Sequence, residues 1–426
     1  MKSEKFIVIG ITDAPKPFFT PEVLDIIKQG KVFSGGKRHH EIVAPFLPED
    51  AQWIDIVAPL DTVFEQYFSL FTSHFSLPII VFASGDPLFF GFANTIKRKM
   101  PEAEIKVYPT FNSLQLLAHR LLMPYHDMRT VSLTGRPWQE FDKALIERTP
   151  KMGILTDREH TPAAIAQRML EYGYNDYLMY IGEHLGNPEL EKISHLSLEE
   201  VALSEFSQPN CVILHPFDFG PSALPLGIPD SAFTLLDGRE KMITKMPIRL
   251  LTLQALELYH RHEFWDIGAC TGSISIEARL HYPHLHVFAF EVRPECEAII
   301  QENARKFGAP GIEVIMGDFL EVDCDALPRE KPANPWVMNS FPDAIFIGGH
   351  NGQLKEIMAK ACSYLSPTGI IVMNSVPSPV VEQMTNRPSS RQLWDEACAE
   401  LGLHQEPPLR IVLNDHNPIE ILRAKK

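Results

Sequence analysis

The chain has 426 residues, is 45% hydrophobic and carries a formal net charge of −15 at pH 7. One hydrophobic core rarely serves a chain of this length, so two or three globular units are predicted. The negative charge argues against a nucleic-acid partner, because phosphate binding needs a concentrated cationic face. The sequence has no apolar stretch long enough to cross a membrane, so no membrane partner and a cytoplasmic location are expected.

Six cysteines are scattered along the chain. None of them forms a CxxC pair or stands in a cluster with histidine, which argues against both a disulfide framework and a zinc site. We therefore expect reduced thiols and no bound metal.

Short β-branched runs alternate with amphipathic segments in the first half, a pattern typical of α/β architecture. The predicted helices are Thr20–Gln29, Ser113–Leu122 and Pro162–Tyr172. The predicted strands belong to two lobes of one unit: Phe6–Ile9, Ile79–Phe82, Ile105–Tyr108, Val131–Leu133, Lys151–Leu155, Asp176–Ile181 and Cys211–Leu214.

A segment rich in proline and glycine, without apolar periodicity, follows these elements. We therefore predict a first domain over residues 1–215, a linker over 216–240 and a second domain over 241–426. The second domain is predicted to contain a doubly wound sheet that ends in an antiparallel hairpin. Its predicted elements are a helix, Pro247–His260, and the strands Phe264–Ile267, His286–Phe290, Glu313–Ile315, Ala344–Ile347, Gly369–Met373, Leu409–Leu413 and Ile419–Leu422.

A glycine-rich turn, Gly268-Ala-Cys-Thr-Gly272, joins the first of these strands to a helix that begins at Ser273. Such a turn presents backbone N–H groups to a nucleotide-like ligand at the carboxyl end of a sheet. Glu291 ends the next strand, where a carboxylate can accept hydrogen bonds from ribose hydroxyls. Gly317-Asp318 follows the third strand, where an acidic side chain can reach the adenine amine. The three loops together predict a site for S-adenosylmethionine.

Two other interpretations of this turn remain open. A dehydrogenase that binds NAD is expected to carry G-x-G-x-x-G, whereas this turn has different glycine spacing. The second alternative is an ordinary strand-to-helix turn in which Asp266 and Glu291 are surface carboxylates.

The first half carries a constrained turn of its own, Ser84-Gly-Asp-Pro87, directly after a predicted strand. Gly85 supplies conformational freedom, Pro87 holds Asp86 extended, and Gly91 permits close approach of a helix. Cationic side chains follow a glycine pair at Lys37-Arg38-His39, and Arg136 ends another strand-to-turn segment. These features predict a ligand site in the first domain as well.

The first half resembles the tetrapyrrole (corrin/porphyrin) methylase family, of the type that methylates C5 in cobalamin biosynthesis. The resemblance rests on Gly35–His39, Ala83–Gly91, Ser113–Gln115 and Leu133–Arg136. The second half resembles the family of Rossmann-like C15-methylating, decarboxylating enzymes. That resemblance rests on Met242–Lys245 with Ile248-Arg249, on Asp266–Glu277, on Gly317-Asp318 and on Phe346–Gly349.

The resemblance implies methylation of a precorrin or cobalt-precorrin at C5 and C15, with decarboxylation of the C12 acetate side chain. S-adenosylmethionine is the implied cofactor, and a homo-oligomer is expected. The implied catalytic residues, as partners of substrate carboxylates, are Lys37, Arg38, His39, Arg136, Lys245, Arg249 and His350. The implied cofactor-binding residues are Gly10, Ser84, Gly85, Asp86, Pro87, Phe89, Thr244, Asp266, Gly268, Ala269, Thr271, Gly272, Ser273, Glu291, Gly317, Asp318 and Gly348.

One loop departs from the family pattern. The first strand of these methylases normally runs into G-x-G-P-G, but Gly10-Ile-Thr-Asp-Ala-Pro15 keeps only the first glycine. An alternative function follows from this departure, in which only the second domain is catalytic and the first holds substrate or an oligomer together.

Overall fold

The computed structural model describes residues 5–72, 77–217, 226–329, 341–376, 388–413 and 418–426. By their internal packing they form two compact units. The first comprises Met1–Arg136, Pro150–Arg168 and Asp176–Asp218, and the second comprises Pro137–Thr149, Met169–Asn175 and Phe219–Lys426. Within the described ranges, every helix is too short or too polar to span a bilayer.

The first unit begins with a five-stranded parallel sheet in the order β3-β2-β4-β1-β5. Its central strands are apolar along nearly their whole length, as expected of strands covered by helices on both faces. The strands are β1 (Lys5–Ile11), β2 (Val32–Gly35), β3 (Gln52–Asp55), β4 (Ile79–Ser84) and β5 (Glu104–Tyr108), and the helices between or after them are α1 (Pro21–Gln29), α2 (Lys37–Val43), α3 (Asp61–Thr72) and α4 (Phe92–Lys99).

A second five-stranded sheet, in the order β6-β7-β10-β8-β9, is mixed. Only β6 and β7 pair in parallel, and the other neighbours are antiparallel. The strands are β6 (Arg129–Ser132), β7 (Met152–Leu155), β8 (Tyr177–Glu183), β9 (Lys192–Leu196) and β10 (Asn210–Pro216), and the helices of this stretch of chain are α5 (Ser113–Arg120), α6 (Gln139–Ile146), α7 (Pro162–Glu171) and α8 (Leu198–Ala202).

The second unit contains a parallel sheet, β13-β12-β11-β14-β15, extended by the antiparallel strand β18. The strands are β11 (Glu263–Ile267), β12 (His286–Glu291), β13 (Ile312–Met316), β14 (Ala344–Ile347), β15 (Ile370–Ser375), β16 (His404–Gln405), β17 (Leu409–Ile411) and β18 (Ile419–Lys425). The helices are α9 (Met246–Ala255), α10 (Ser273–His281), α11 (Pro294–Phe307), α12 (Leu354–Tyr364) and α13 (Ser390–Leu401).

Large aromatic side chains hold this sheet against its helices. Trp265 on β11 and Trp394 on α13 are at most 1% exposed, and Trp265 packs against Phe290 and Phe319. Each such side chain contributes about 2–3 kcal/mol through its removal from water. The sheet that carries the candidate site is therefore held rigidly by its packing against these helices.

The predicted fold class is confirmed, including the two lobes of the first unit, the doubly wound sheet and the terminal hairpin of β17 and β18. Four strands were not predicted: β2, β3, β9 and the two-residue β16. The predicted helix Pro247–His260 ends early at Ala255, since Glu257 adopts a left-handed conformation with φ 50° before a short 3-10 turn at Leu258–His260.

Candidate active sites

A cavity of about 420 Å³ in the first unit lies where β1 and β4 end. These strands pair in parallel, with Ile11 opposite Ser84, so the loops that follow them emerge side by side. Residues of the second sheet, including Thr156 and Asn210, line the same cavity. Its volume falls in the range of about 300–1,000 Å³ that is typical of small-molecule sites.

Glycines let the backbone close around this cavity. A Cβ on Gly10 would lie 1.9 Å from the carbonyl oxygen of Gly85, and one on Gly91 would lie 2.4 Å from the carbonyl oxygen of Pro87. Gly85 has φ 61° and donates its N–H to the carbonyl of Ile11 at 2.8 Å. Gly10 is therefore required by packing, which explains why the loop keeps it while its other glycines are replaced.

A network of charged side chains forms one wall of the cavity. Arg38 donates to Asp13 Oδ1 at 2.6 Å and to Ser84 Oγ at 3.0 Å. The second oxygen of Asp13 lies 2.9 Å from Nδ1 of His184, whose own backbone is left-handed at φ 49°. The side chain of Asp13 is only 9% exposed. Strained backbone and buried, paired charge in one cavity are features that cluster at active sites.

His39 completes this network as a neutral imidazole. Its Nδ1 accepts the N–H of Gly36 at 3.2 Å, which leaves Nε2 to donate to Ser84 Oγ at 2.9 Å. Burial and the neighbouring charge of Arg38 lower the pKa of His39 to about 4. The prediction of a cationic His39 is therefore corrected, since the imidazole acts as a hydrogen-bond donor to a serine.

The other predicted residues of this unit lie around the cavity in different ways. Phe89 lines it, whereas Lys37 is exposed at the start of α2 and does not. Asp86 accepts the N–H of Leu88 at 2.8 Å and so stabilises its own turn with Pro87. Within the described structure Asp86 is a turn-forming residue and does not line the cavity.

Arg136 lines a neighbouring cavity of about 380 Å³ together with Arg98. It donates to Ser132 Oγ at 2.5 Å and lies over the ring of Phe90, 5.1 Å from its centroid. Burial and the charge of Arg98 lower the pKa of Arg136. Neither arginine pairs with a carboxylate within the described ranges, so both are available to an anion.

The second unit has a cavity of about 400 Å³ at the carboxyl edge of its parallel sheet. The loops after four strands contribute to it: β11, β12, β13 and β14. Its lining residues are Ile267, Gly268, Phe290, Glu291, Val292, Arg293, Gly317, Asp318, Phe319, Gly349, His350, Asn351, Gln353 and Ile357. The three loops predicted to share one sheet edge do so.

Close backbone contact shapes the glycine-rich turn. Gly268 has φ 82°, and a Cβ on it would lie 2.9 Å from the backbone nitrogen of Gly349. A Cβ on Gly348 would lie equally close to the carbonyl oxygen of Gly268. Gly272 is the left-handed N-cap of α10. The remaining predicted members of this turn are buried within it: Ala269, Thr271 and Ser273.

Glu291 is fully buried at the end of β12, and five N–H groups donate to it. Three are backbone groups, of Cys270 at 2.7 Å, Val292 at 3.0 Å and Arg293 at 2.9 Å. The other two come from the Arg293 guanidinium, Nε at 2.8 Å and Nη2 at 2.9 Å. Burial alone would raise the pKa of Glu291, but hydrogen bonds from Arg293 and from the backbone bring it below its ordinary value.

Asp266 is a buried carboxyl that, unlike Glu291, has few hydrogen-bond donors around it. Its Oδ2 accepts the hydroxyl of Ser275 at 2.6 Å, whereas its buried Oδ1 has no partner among the described residues. Burial, with a further contribution from the charge of Glu291, raises the pKa of Asp266 to about 7. An unsatisfied buried acceptor beside the turn is suited to a donor group supplied by a ligand.

The structure contradicts the prediction that Arg249 pairs with substrate. Arg249 is fully buried and is held by ion pairs to Glu277 and to Asp230 at 3.2 Å, with a further bond to the carbonyl of Thr244. Lys245 donates to the carbonyl of Glu240 at 2.9 Å. None of the three predicted residues of this segment, Thr244, Lys245 and Arg249, lines the described cavity.

His350 lines the cavity as a neutral side chain. Its Nδ1 accepts the N–H of Gly352 at 3.1 Å, and its Nε2 lies 2.9 Å from Ser390 Oγ. Burial lowers the pKa of His350. The expected cationic partner for a carboxylate is thus a neutral hydrogen-bonded imidazole.

Three residues of these charged networks were not predicted from the sequence: Asp13, His184 and Arg293. Asp13 stands in the loop that departs from the family pattern, and this departure is the one sequence feature that could have drawn attention to it. His184 is 171 residues away from its partner, so no local pattern identifies it. Arg293 follows Glu291 by two residues, and its proximity could have suggested an ion pair.

Family models match both halves of the chain. Tetrapyrrole (corrin/porphyrin) methylases match residues 5–202, and a precorrin methyltransferase domain matches residues 236–387. The precorrin-6Y C(5,15)-methyltransferase (decarboxylating) of Sinorhizobium sp is 32% identical over 372 residues, which are 87% of this chain and 84% of that protein.

Two shorter proteins each match nearly half of the chain. The cobalt-precorrin-6B C(15)-methyltransferase (decarboxylating) of Salmonella typhi is 33% identical over 45% of this chain and 93% of its own length. The cobalt-precorrin-7 C(5)-methyltransferase of Salmonella typhimurium is 28% identical over 46% of this chain and 91% of its own length. The chain belongs to the precorrin-6Y C5,15-methyltransferase (decarboxylating) family, whose members are S-adenosylmethionine-dependent enzymes of cobalamin biosynthesis.

Proposed function

We propose that the first unit methylates a precorrin or cobalt-precorrin at C5, and that the second methylates it at C15 and removes the carboxyl group of the C12 acetate. The observation that carries this proposal is the presence of two separate cavities, one in each unit, each at the carboxyl ends of parallel strands. The proposed division of the sequence is 1–215, 216–240 and 241–426, although by internal packing the short stretches 137–149 and 169–175 belong to the second unit.

The residues of both cavities fit S-adenosylmethionine, which supplies an electrophilic methyl group on a sulfonium when bound. In the second unit, Glu291 would hold the ribose and Asp318 the adenine, whereas Asp266 is buried beside the turn and does not line the cavity. In the first unit, the backbone around Gly85 and the hydroxyl of Ser84 would hold the cofactor.

Transfer of the methyl group to a nucleophilic ring carbon is an in-line displacement, which needs alignment and exclusion of water more than a strong base. Apolar side chains supply that environment in the first cavity, among them Phe82, Phe89, Leu116 and Leu185. In the second cavity Ile267, Phe319 and Ile357 do so. The electron pair of the broken carbon–sulfur bond would stay on the sulfur of the bound S-adenosylmethionine.

The carboxylates of the tetrapyrrole require cations, and the first unit offers Arg98 and Arg136 in one cavity beside the cofactor cavity. Two guanidinium groups without carboxylate partners in the described structure are suited to bidentate pairing with acidic side chains of the ring. Arg38 is less suited, since Asp13 already holds it at 2.6 Å.

Loss of carbon dioxide from the C12 acetate needs no metal from the protein. The bond to the carboxyl carbon breaks, its electron pair enters the conjugated ring, and the remaining carbon takes a proton. The hydrogen-bonded His350, whose pKa is lowered by burial, would add no positive charge beside that carboxylate, which favours its loss.

Mass spectrometry of products from precorrin-6B tests the assignment of reactions to units. Each methyl addition and the loss of carbon dioxide change the mass separately. Glu291→Ala is expected to stop C15 methylation and spare C5 methylation, and Arg98→Met with Arg136→Met is expected to do the reverse. Loss of both reactions in both variants would overturn the assignment.

The alternative, in which the first unit only holds substrate or an oligomer together, is motivated by the altered loop after Gly10. The placement of Thr12 and Asp13 in the cavity wall favours an active unit, because the loop adds polar groups and leaves the cavity open. Titration of the Glu291→Ala chain with S-adenosylhomocysteine distinguishes the two, since one remaining equivalent of binding is expected only for an active first unit. We further propose a cytoplasmic homo-oligomer.

A further inference from the structure

Arg293 occupies the acceptor positions that the cofactor ribose needs. A carboxylate offers about four lone-pair positions to donors. Glu291 already receives five N–H groups, three of them on its Oε1 and two on its Oε2. No position is left for a ribose hydroxyl unless one donor leaves.

Only the two guanidinium donors can leave without refolding the site. The N–H groups of Cys270, Val292 and Arg293 belong to the backbone of the turn and of the segment after β12. The Arg293 guanidinium stands on a flexible side chain that is 35% exposed, while the Glu291 side chain is completely buried. Rotation of the Arg293 side chain is therefore the least costly way to free both oxygens.

We propose that Arg293 competes with the cofactor for Glu291, and that binding of the cofactor in the second unit displaces its guanidinium. The inference rests on the proposed function of this cavity. While the ion pair persists it satisfies a buried carboxylate, which would otherwise lose stability through an unpaired charge. The bound cofactor replaces the two guanidinium donors with two hydroxyl donors.

The competition lowers the affinity for the cofactor. The apparent dissociation constant rises in inverse proportion to the fraction of molecules in which the site is open. If nine molecules in ten hold the pair, its removal tightens binding by about tenfold. The charge acts in the same direction, because Arg293 repels the positively charged sulfonium end of S-adenosylmethionine.

Calorimetric titration of the full chain with S-adenosylhomocysteine tests the inference. Glu291→Gln identifies the second-unit site as the equivalent of binding that it weakens. Arg293→Met keeps most of the alkyl side chain and removes the guanidinium group. It is expected to tighten binding at that site by about three- to tenfold. Arg305→Met is the matched control, since this exposed arginine on the same helix does not line the cavity, and its affinity is expected to equal that of the wild type.

The possible results distinguish failure of the proposed cofactor site from failure of the proposed competition. If Glu291→Gln weakens neither equivalent, the proposed cofactor site is wrong. If Glu291→Gln removes one equivalent but Arg293→Met leaves its affinity unchanged or weaker, the site stands and the competition is refuted. A crystal structure of the wild-type complex gives a second measure that does not depend on variant folding. Retention of both guanidinium bonds beside a bound ribose would also refute the competition.

Discussion

The two cavities assemble their charged groups by different means. In the first unit, Asp13, Arg38, Ser84 and His184 come from four segments spread over 171 residues. In the second unit, Glu291 and Arg293 are two residues apart, and Cys270 belongs to the adjacent turn. The first network depends on the packing of two sheets, whereas the second depends on one strand end. The first should therefore respond to distant substitutions and the second chiefly to local ones.

The largest effect is expected from Glu291→Ala. Loss of the two ribose hydrogen bonds to a charged acceptor costs about 1.5–3 kcal/mol each, or about 100-fold or more in cofactor affinity. C15 methylation should fall accordingly, and C5 methylation should stay within about twofold of the wild type. Single-turnover assays of each methyl addition measure this. Equal loss at both positions would show that the two sites are not independent.

Removal of Arg249 is expected to affect stability more than chemistry. Arg249→Met removes the guanidinium that pairs with buried Glu277 and leaves that carboxylate only the N–H of Ile228 and the more distant His281, at a cost of about 3–5 kcal/mol. Differential scanning calorimetry should show a lower melting temperature for the second unit, with cofactor affinity nearly unchanged below that temperature. Lys245→Met is the control: Lys245 is partly exposed and its contact with Asp230 is long, at 3.8 Å, so its removal should change stability little. If an Arg249→Met protein were stable but specifically lost C15 methylation, Arg249 would have a catalytic role after all.

Asp266 makes the stability of the second unit depend on pH. Its pKa in the folded chain, about 7, lies above the ordinary value of 3.8, so the folded state retains a proton that the unfolded state has lost. This contribution is fully present below about pH 4 and is lost as pH rises towards 7, with a size of roughly 2–4 kcal/mol. Denaturant unfolding of the wild type and of Asp266→Asn at several pH values measures it. If the free energy of unfolding depended on pH identically in the two proteins, the raised pKa of Asp266 would be contradicted.

Asp13→Asn examines the long-range network of the first unit. The amide keeps the shape of the side chain but removes the charge that holds Arg38 and His184. C5 methylation is expected to fall by about tenfold, equivalent to one charge-assisted hydrogen bond, while C15 methylation is unchanged. Product analysis by mass spectrometry distinguishes the two. An unchanged C5 rate would mean that the network is structural only.

The smallest effect is expected from Lys37→Ala. This side chain is exposed at the start of α2 and does not line the described cavity. Exposed charges contribute little, so both methylation rates should stay within about twofold of the wild type. A larger loss of C5 methylation would place Lys37 in contact with the tetrapyrrole and would enlarge the proposed binding surface.

The difference between the cavities also explains what the sequence could predict. The turn from Gly268 to Gly272 and the acids Glu291 and Asp318 were predictable because each directly follows a strand of a parallel sheet. Pairing of Asp13 with His184 was not, since it arises from tertiary packing. Arg249 was misassigned because a family motif does not state whether its arginine faces a cavity or the core.

The short strands β2, β3 and β9 were missed for a related reason. β2 and β3 have four residues each, too few to establish a period, and β9 is polar and half-exposed. No helix was predicted at α2, because its first residues are Lys37, Arg38 and His39, which carry no apolar pattern. The fold class was nevertheless predicted correctly, because the central strands, which are long and apolar, define the sheets.

The six cysteines have a practical consequence for spectroscopy. All are free and buried, and burial raises the pKa of Cys211, Cys296 and Cys398 to about 12. Such thiols react slowly with maleimides, because the thiolate is the reactive form. New cysteines at the exposed positions Lys97 and Arg305 could therefore carry fluorophores without removal of the native ones. Each label would report on its own unit in a nearly native chain.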